Sequence, residues 1–194
     1  MPNTLQQWLL TPRDDLVKAV QEDVLFHVNQ LRTQGHHFCC YALGFDPEAT
    51  APFPWVMTNM RRDIAEHEGS SDYDYFMYFP NEWKHWWNEP PFARTNRVIS
   101  VYETTYLNLA PPQSEELVIP EHALAHFHAT LRASIKALFN LRSQGTFTDD
   151  IFLLVWVGAS HWDEDWPIER DSVQQLNAIE HVTRYCRILD GEDD

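Results

Sequence analysis

Three histidines stand close together in "HALAHFH": His122, His126 and His128. Imidazole is a common ligand for zinc and copper, and at a spacing of four residues His122 and His126 share one helix face. At about 100° per residue that face points away from the stripe made by Leu124, Phe127 and Leu131, and His128 falls near the edge of the stripe. The three rings therefore do not converge on one ion. The segment also lacks the glutamate of the zinc-protease helix motif. His122 and His126 are read as a solvent-facing pair and His128 as a boundary residue; neither a metal nor another cofactor is expected. Cys39, close to His36 and His37, raises the possibility of a thiol nucleophile. Successive strand residues point to opposite faces, however, so Cys39 and Cys40 are not expected to act together. Both, like Cys186, are read as small apolar fillers.

The densest carboxylate cluster is "ASHWDEDWPIERD", residues 159–171, directly after the apolar run "IFLLVWV". Loops that bind hard cations place oxygens at alternate positions around a glycine, and here Trp162 and Trp166 interrupt the spacing and no glycine is present. There is no Walker loop, nucleophile elbow or dinucleotide fingerprint, so no catalytic residue is assigned. What remains is tryptophan flanked by acid, which combines apolar contact area with a field that steers a basic partner. The residues singled out for partner binding are Trp162, Asp163, Glu164, Asp165, Trp166 and Glu169. A second patch of the same kind, "NEWKHWWNE", adds Trp83, Trp86, Trp87 and Glu89. The plain alternative for both patches is a partly buried tryptophan that pins a loop to the core.

The elements that must position these residues follow from periodicity. "TPRDDLVKAVQEDVLFHVNQLRTQG" is a helix over about residues 12–34, with Thr11 as N-cap, Pro12 in its first turn and Gly35 past its end. "HHFCCYALGF" is a strand covered on both faces, and "WVMTNM" is its hairpin partner. Asn81 is placed as the cap of a short helix through "EWKHWW". Helices follow at "FARTNRVISVYETTYLN" and, most clearly, at "PEHALAHFHATLRASIKALFNLRSQG". "IFLLVWV" is read as a buried central strand, and "PIERDSVQQLN" and "IEHVTRYCRIL" as closing helices, with a frayed acidic tail over 190–194. The expected fold is a layered α+β single domain spanning 1–194, a small mixed β-sheet with helices packed on it.

The chain of 194 residues carries 29 acids against 14 bases, a net charge of −15. Phosphate contacts need clustered Lys and Arg, so nucleic acid is excluded as a partner, and an anionic membrane surface with it. No apolar run is long enough to span a bilayer, and the N-terminus lacks the pattern of a signal peptide. Three cysteines, two of them adjacent, make no disulfide framework, which sets the chain in a reducing, cytoplasmic compartment. The 8 Trp, 7 Tyr and 11 Phe exceed the needs of a small core and place some rings at a binding face.

Several segments also carry a resemblance. "HHFCCYALGF", "YFPNEWKHWW", "LFNLRSQGTF" and "DSVQQLN", taken in that order, resemble the bacterial domain-of-unknown-function family DUF4303 over roughly residues 10 to 185. Cys39 and Cys40 depart from that family's pattern, which has an aromatic and a small residue there. The family brings no catalytic residues. It is similar to immunity proteins of secreted or contact-dependent toxin systems. The resemblance thus implies a protein that neutralises a cognate basic toxin effector domain in the cytoplasm by occluding its active site. The alternatives are a hydrolase-like enzyme using His36, His37, Asp163 or Asp165, and an intracellular scaffold. A deep pocket with converging polar groups would favour the enzyme.

Overall fold

The unbroken apolar segment Phe38–Phe45 forms strand β1, and every residue in it is buried. Apolar residues on both faces require cover on both sides, and the rest of the fold supplies it. A computed structural model of the chain describes residues 4–46, 51–87, 92–111, 120–158 and 166–191. In chain order these form α1 (Leu5–Leu9), α2 (Asp14–Thr33), β1, β2 (Trp55–Met60), α3 (Arg61–Ala65) and α4 (Tyr73–Tyr78). A 3-10 turn (Pro80–Glu82) follows, then β3 (His85–Trp87), α5 (Ala93–Leu109), α6 (Glu121–Ser143), β4 (Phe152–Val157), α7 (Trp166–Leu176) and α8 (Ile179–Leu189). The fold is α+β, as the element order predicts.

The sheet is mixed, in the order β3-β2-β1-β4. β2 is antiparallel to both β1 and β3, and β4 is parallel to β1. One face, with Tyr41, Leu43, Phe45, Leu153 and Val155, packs against the apolar stripes of α2 and α6 and against Phe92 and Ile99 at α5. The other face, with Ala42, Met57, Phe152 and Leu154, is covered by Ile64, Met77, Tyr78, Trp83 and Tyr185. Helices on both faces make three layers.

Several sequence expectations need correction. The segment "EWKHWW" is not a helix: the 3-10 turn stops at Glu82, and His85–Trp87 add a fourth strand to the sheet. Thr11 does not cap α2. Its hydroxyl donates to the Gln7 carbonyl at 3.1 Å to close α1, and Arg13 takes the N-cap position without a side-chain cap. Gly35 does end α2 in the left-handed conformation at φ +76°, letting the His36 N–H reach back to the Leu31 carbonyl at 2.9 Å.

β4 is an edge strand, not a central one. Its outward hydrogen-bonding groups are met by side chains of the segment that begins with α7. The Val157 N–H donates to Glu169 Oε1 at 2.7 Å, the Val155 N–H to Ser172 Oγ at 3.2 Å, and the Leu153 N–H to Asn177 Oδ1 at 2.7 Å. Asn177 Nδ2 returns a bond to the Leu153 carbonyl at 2.7 Å. Helical spacing puts Glu169 and Ser172 on one side of α7, and Asn177 follows just past the helix end, in step with alternate residues of the strand. This explains how an all-apolar strand survives at an edge: the helix does the work of a fifth strand.

His126 is buried, not solvent-facing. α1 and α5 cover the face of α6 that the sequence assigned to water. Arg13 donates through Nη2 to His126 Nδ1 at 2.6 Å and through Nη1 to Thr130 Oγ1 at 2.8 Å. Because an arginine can only donate, His126 Nδ1 is the acceptor, and its Nε2–H points to Glu103 Oε1 at 2.5 Å. The guanidinium lies 4.5 Å from the Tyr102 ring and 5.2 Å from the Trp8 ring, and Tyr106 stacks on His126 at 4.6 Å. His122 and His128 are half-buried, and His122 Nδ1 meets the Tyr106 hydroxyl at 2.8 Å.

A second buried histidine makes the fold sensitive to acid. His27 sits 3.1 Å from the Tyr41 hydroxyl, and burial pushes its pKa down to about 4 from an ordinary 6.5. The unfolded chain therefore takes up the proton first, and the stability His27 contributes is present at neutral pH and lost as pH falls from 6.5 towards about 4. The loss is about 3 kcal/mol at roughly 1.4 kcal/mol per pH unit. Burial also lowers His181, with the same sign. Urea unfolding of His27→Gln across this window should show a shallower but still falling stability. A slope identical to that of the unsubstituted chain would remove His27 as its source.

Candidate partner-binding face

β1, β3 and β4 all run towards the same end of the sheet, and β2 starts there. The register shows it: Gly44 of β1 lies between Trp55 of β2 and Trp156 of β4, and Trp87 of β3 is opposite Val56. Residues 47–50, 88–91 and 159–165 therefore all connect to strand ends on one side of the molecule. Together with Asp46, these segments contain Glu48, Glu89, Asp163, Glu164 and Asp165, and no lysine or arginine. The two acid-and-tryptophan patches of the sequence, far apart along the chain, thus follow strands that finish at a single sheet end.

Three tryptophan rings mark that end on the face covered by α3, α4 and α8. Trp156 stands edge-on to Trp55 at 6.3 Å and to Trp86 at 6.1 Å. Two glycines make room for them. A Cβ at Gly44 would lie 2.5 Å from the Trp55 ring, and one at Gly158 would lie 2.9 Å from the Trp156 ring. Trp86 is 44% exposed, and its indole N–H donates to the Trp83 carbonyl at 2.7 Å, which fixes the ring. The Trp55 indole N–H is sheltered and has no acceptor among the described residues. Rigid, half-exposed aromatic rings present contact area at little entropic cost, the pattern of a protein-binding surface.

The residues chosen from sequence divide unevenly. Trp86 belongs to this cluster. Trp83 does not: it is 2% exposed and sits in the core under α4 and α8. Glu169 is 5% exposed and its carboxylate is bound to the β4 edge, so it is no surface acid. Trp162, Asp163, Glu164, Asp165 and Glu89 lie outside the described residues, as do the side chains of Trp87 and Trp166. Trp55 and Trp156 were missed. The pairing of bulky Trp with small Gly across neighbouring strands marks them, and only the register reveals it.

The opposite end of the sheet holds a cleft of about 430 Å³ lined by Cys39, Arg61, Tyr73, Met77, Tyr78, Asp150, His181 and Arg184, among others. Its polar groups are already engaged. Cys39 Sγ donates to the Asn59 carbonyl at 3.4 Å, His181 Nδ1 meets the Tyr78 hydroxyl at 2.9 Å, and Arg61 pairs with Asp150. Burial raises the Tyr78 phenol far above its ordinary pKa, which keeps it protonated. No thiol–imidazole or hydroxyl–imidazole–carboxylate relay joins the described residues of the cleft. His36 and His37 precede β1, and Asp163 and Asp165 lie outside the described residues.

No described helix is long and apolar enough to cross a membrane. No curated protein and no solved structure matches the chain. A family model does: the domain of unknown function DUF4303 matches residues 20–178, from within α2 to just past the edge-capping Asn177. The chain belongs to the DUF4303 family.

Proposed function

We propose that this chain is an immunity protein, which binds a basic bacterial toxin effector domain in the cytoplasm and occludes its active site with an acidic, tryptophan-rich face. The observation that carries the reading is the cluster of the Trp55, Trp86 and Trp156 rings at the sheet end where β1, β3 and β4 finish. A net charge of −15 supports it, because enzymes that act on nucleic acid carry basic active-site surfaces, which an acidic face complements. Edge-on rings held by Gly44, Gly158 and the Trp83 carbonyl suit a hot spot that needs no reordering on binding.

The test is to ask whether an adjacent gene encodes a toxin effector domain and, with such a domain, to follow co-expression by association kinetics. The chain should restore growth and co-purify with the effector. Asp163→Lys, Glu164→Lys and Asp165→Lys combined should slow association by about 10- to 100-fold at low salt and flatten its salt dependence. Trp86→Ala should act mainly on dissociation, raising it by about 10-fold or more if the ring is a hot spot. Association and dissociation that ignore both changes would exclude this face.

A further inference from the structure

The cleft at the far end of the sheet has a sulfur floor. In a regular strand Cys39 and Cys40 would point to opposite faces. Here the β1–β2 register slips: Phe38 faces Met60 and Cys40 faces Asn59, which leaves Cys39 as one extra residue in the strand. The bulge turns both thiols to the same face, under α4. Cys40 Sγ is 3.9 Å from Cys39 Sγ and 3.5 Å from Met77 Sδ. Sulfur ligands about 2.3 Å from a metal stand about 3.8 to 4.0 Å apart in tetrahedral or trigonal geometry. Both separations from Cys40 thus already lie within a few tenths of an ångström of those between ligands of one ion.

We propose that Cys39, Cys40 and Met77 form a binding site for a soft monovalent cation, Cu(I). Ligand type decides the ion: two thiols and a thioether favour Cu(I), whereas the ligand set of zinc, thiolate, imidazole and carboxylate, does not include a thioether. Among the described residues no group of three or more His, Cys, Asp or Glu is placed to hold a metal, so the third ligand here is the thioether. Access is built in. Cys39 and Met77 line the cleft of about 430 Å³, while Cys40 lies fully buried behind them. Binding releases the two thiol protons and leaves a complex with one net negative charge, in a cleft that also holds the Arg61 guanidinium, paired with Asp150. The site does not depend on the partner-binding reading, because it lies at the other end of the sheet. The competing account is that three polarisable sulfurs simply fill core space, and it predicts that no ion is retained.

The test is anaerobic titration of the reduced, full-length chain with Cu(I) against the chromophoric chelator bicinchoninate. The chain should withdraw one Cu(I), and native mass spectrometry with Ag(I), a redox-inert substitute, should show one added ion. Cys39→Ser and Cys40→Ser should each weaken binding by about 100-fold or more and Met77→Leu by about 10-fold, since each removes a soft ligand. Cys186→Ser should bind as the unsubstituted chain does. X-ray absorption at the copper edge needs no variant and should report three sulfur neighbours. Failure to withdraw Cu(I), loss in Cys186→Ser, undiminished binding by Met77→Leu, nitrogen or oxygen neighbours, or preferential retention of Zn(II) would each overturn the assignment.

Discussion

Arg13→Ala should lower the stability of the fold by about 3 to 5 kcal/mol, the range for removing one partner from a buried, hydrogen-bonded ionic group. Arg13 is 5% exposed and links α2 to α6 through His126 and Thr130, and to α1 and α5 through the Trp8 and Tyr102 rings. Burial pulls its pKa down to about 10, still high enough to keep the charge at neutral pH. Without it, His126 Nδ1 loses its donor and the Glu103 carboxylate loses the nearby positive charge that balances it, while Trp8 and Tyr102 lose the cation between them. For a chain of this size the loss is about 10 °C in Tm, at roughly 2 to 4 °C per kcal/mol. Arg13→Lys keeps the charge but not the two-pronged donor, and should recover only part of the loss. A double-mutant cycle of Arg13→Ala with Glu103→Gln in urea should give a coupling of about 1 kcal/mol or more. A loss below about 1 kcal/mol for Arg13→Ala would mean that apolar packing alone docks α1 and α5.

Periodicity made the long helices legible. The stripe of Leu16, Val20, Val24, Val28 and Leu31 faces the sheet as the spacing required, and Leu131, Ile135 and Leu138 do the same on α6. The doubly buried β1 was equally plain from its run of apolar residues on both faces. What stayed hidden depended on single residues or on non-local cover. One inserted residue at Cys39 reverses the strand parity that set the two thiols apart. His126 points away from the leucine stripe and is still buried, because α1 and α5 come from distant sequence to cover it. Within "NEWKHWW", the turn at Pro80–Glu82 sends Trp83 into the core and the strand then sends Trp86 outward, so neighbouring tryptophans of one patch have different fates. Glu169 sits in the most acidic stretch of the chain, and composition alone gave no sign that its carboxylate faces a strand edge.

That strand edge supplies the second large effect. Asn177→Ala should destabilise the fold by about 2 to 3 kcal/mol and, in addition, make the chain self-associate. Asn177 gives and accepts across the Leu153 peptide groups and also donates to the Val173 carbonyl at 3.0 Å, so one side chain anchors both the strand and the helix end. Its loss exposes a donor and an acceptor on an apolar strand whose next outward N–H groups are held by Ser172 and Glu169. Adding Glu169→Ala frees the Val157 N–H as well, leaving an edge able to pair with a second copy. Glu169→Gln retains an amide oxygen that can accept from Val157, and should behave far more like the unsubstituted chain than Glu169→Ala does. Size-exclusion chromatography over a range of concentrations, read beside urea midpoints, separates the two consequences. A double variant that is destabilised but stays monomeric at high concentration would show that α7 shields β4 by its bulk. Self-association that follows the lost side-chain acceptors would show that Glu169, Ser172 and Asn177 guard the strand bond by bond.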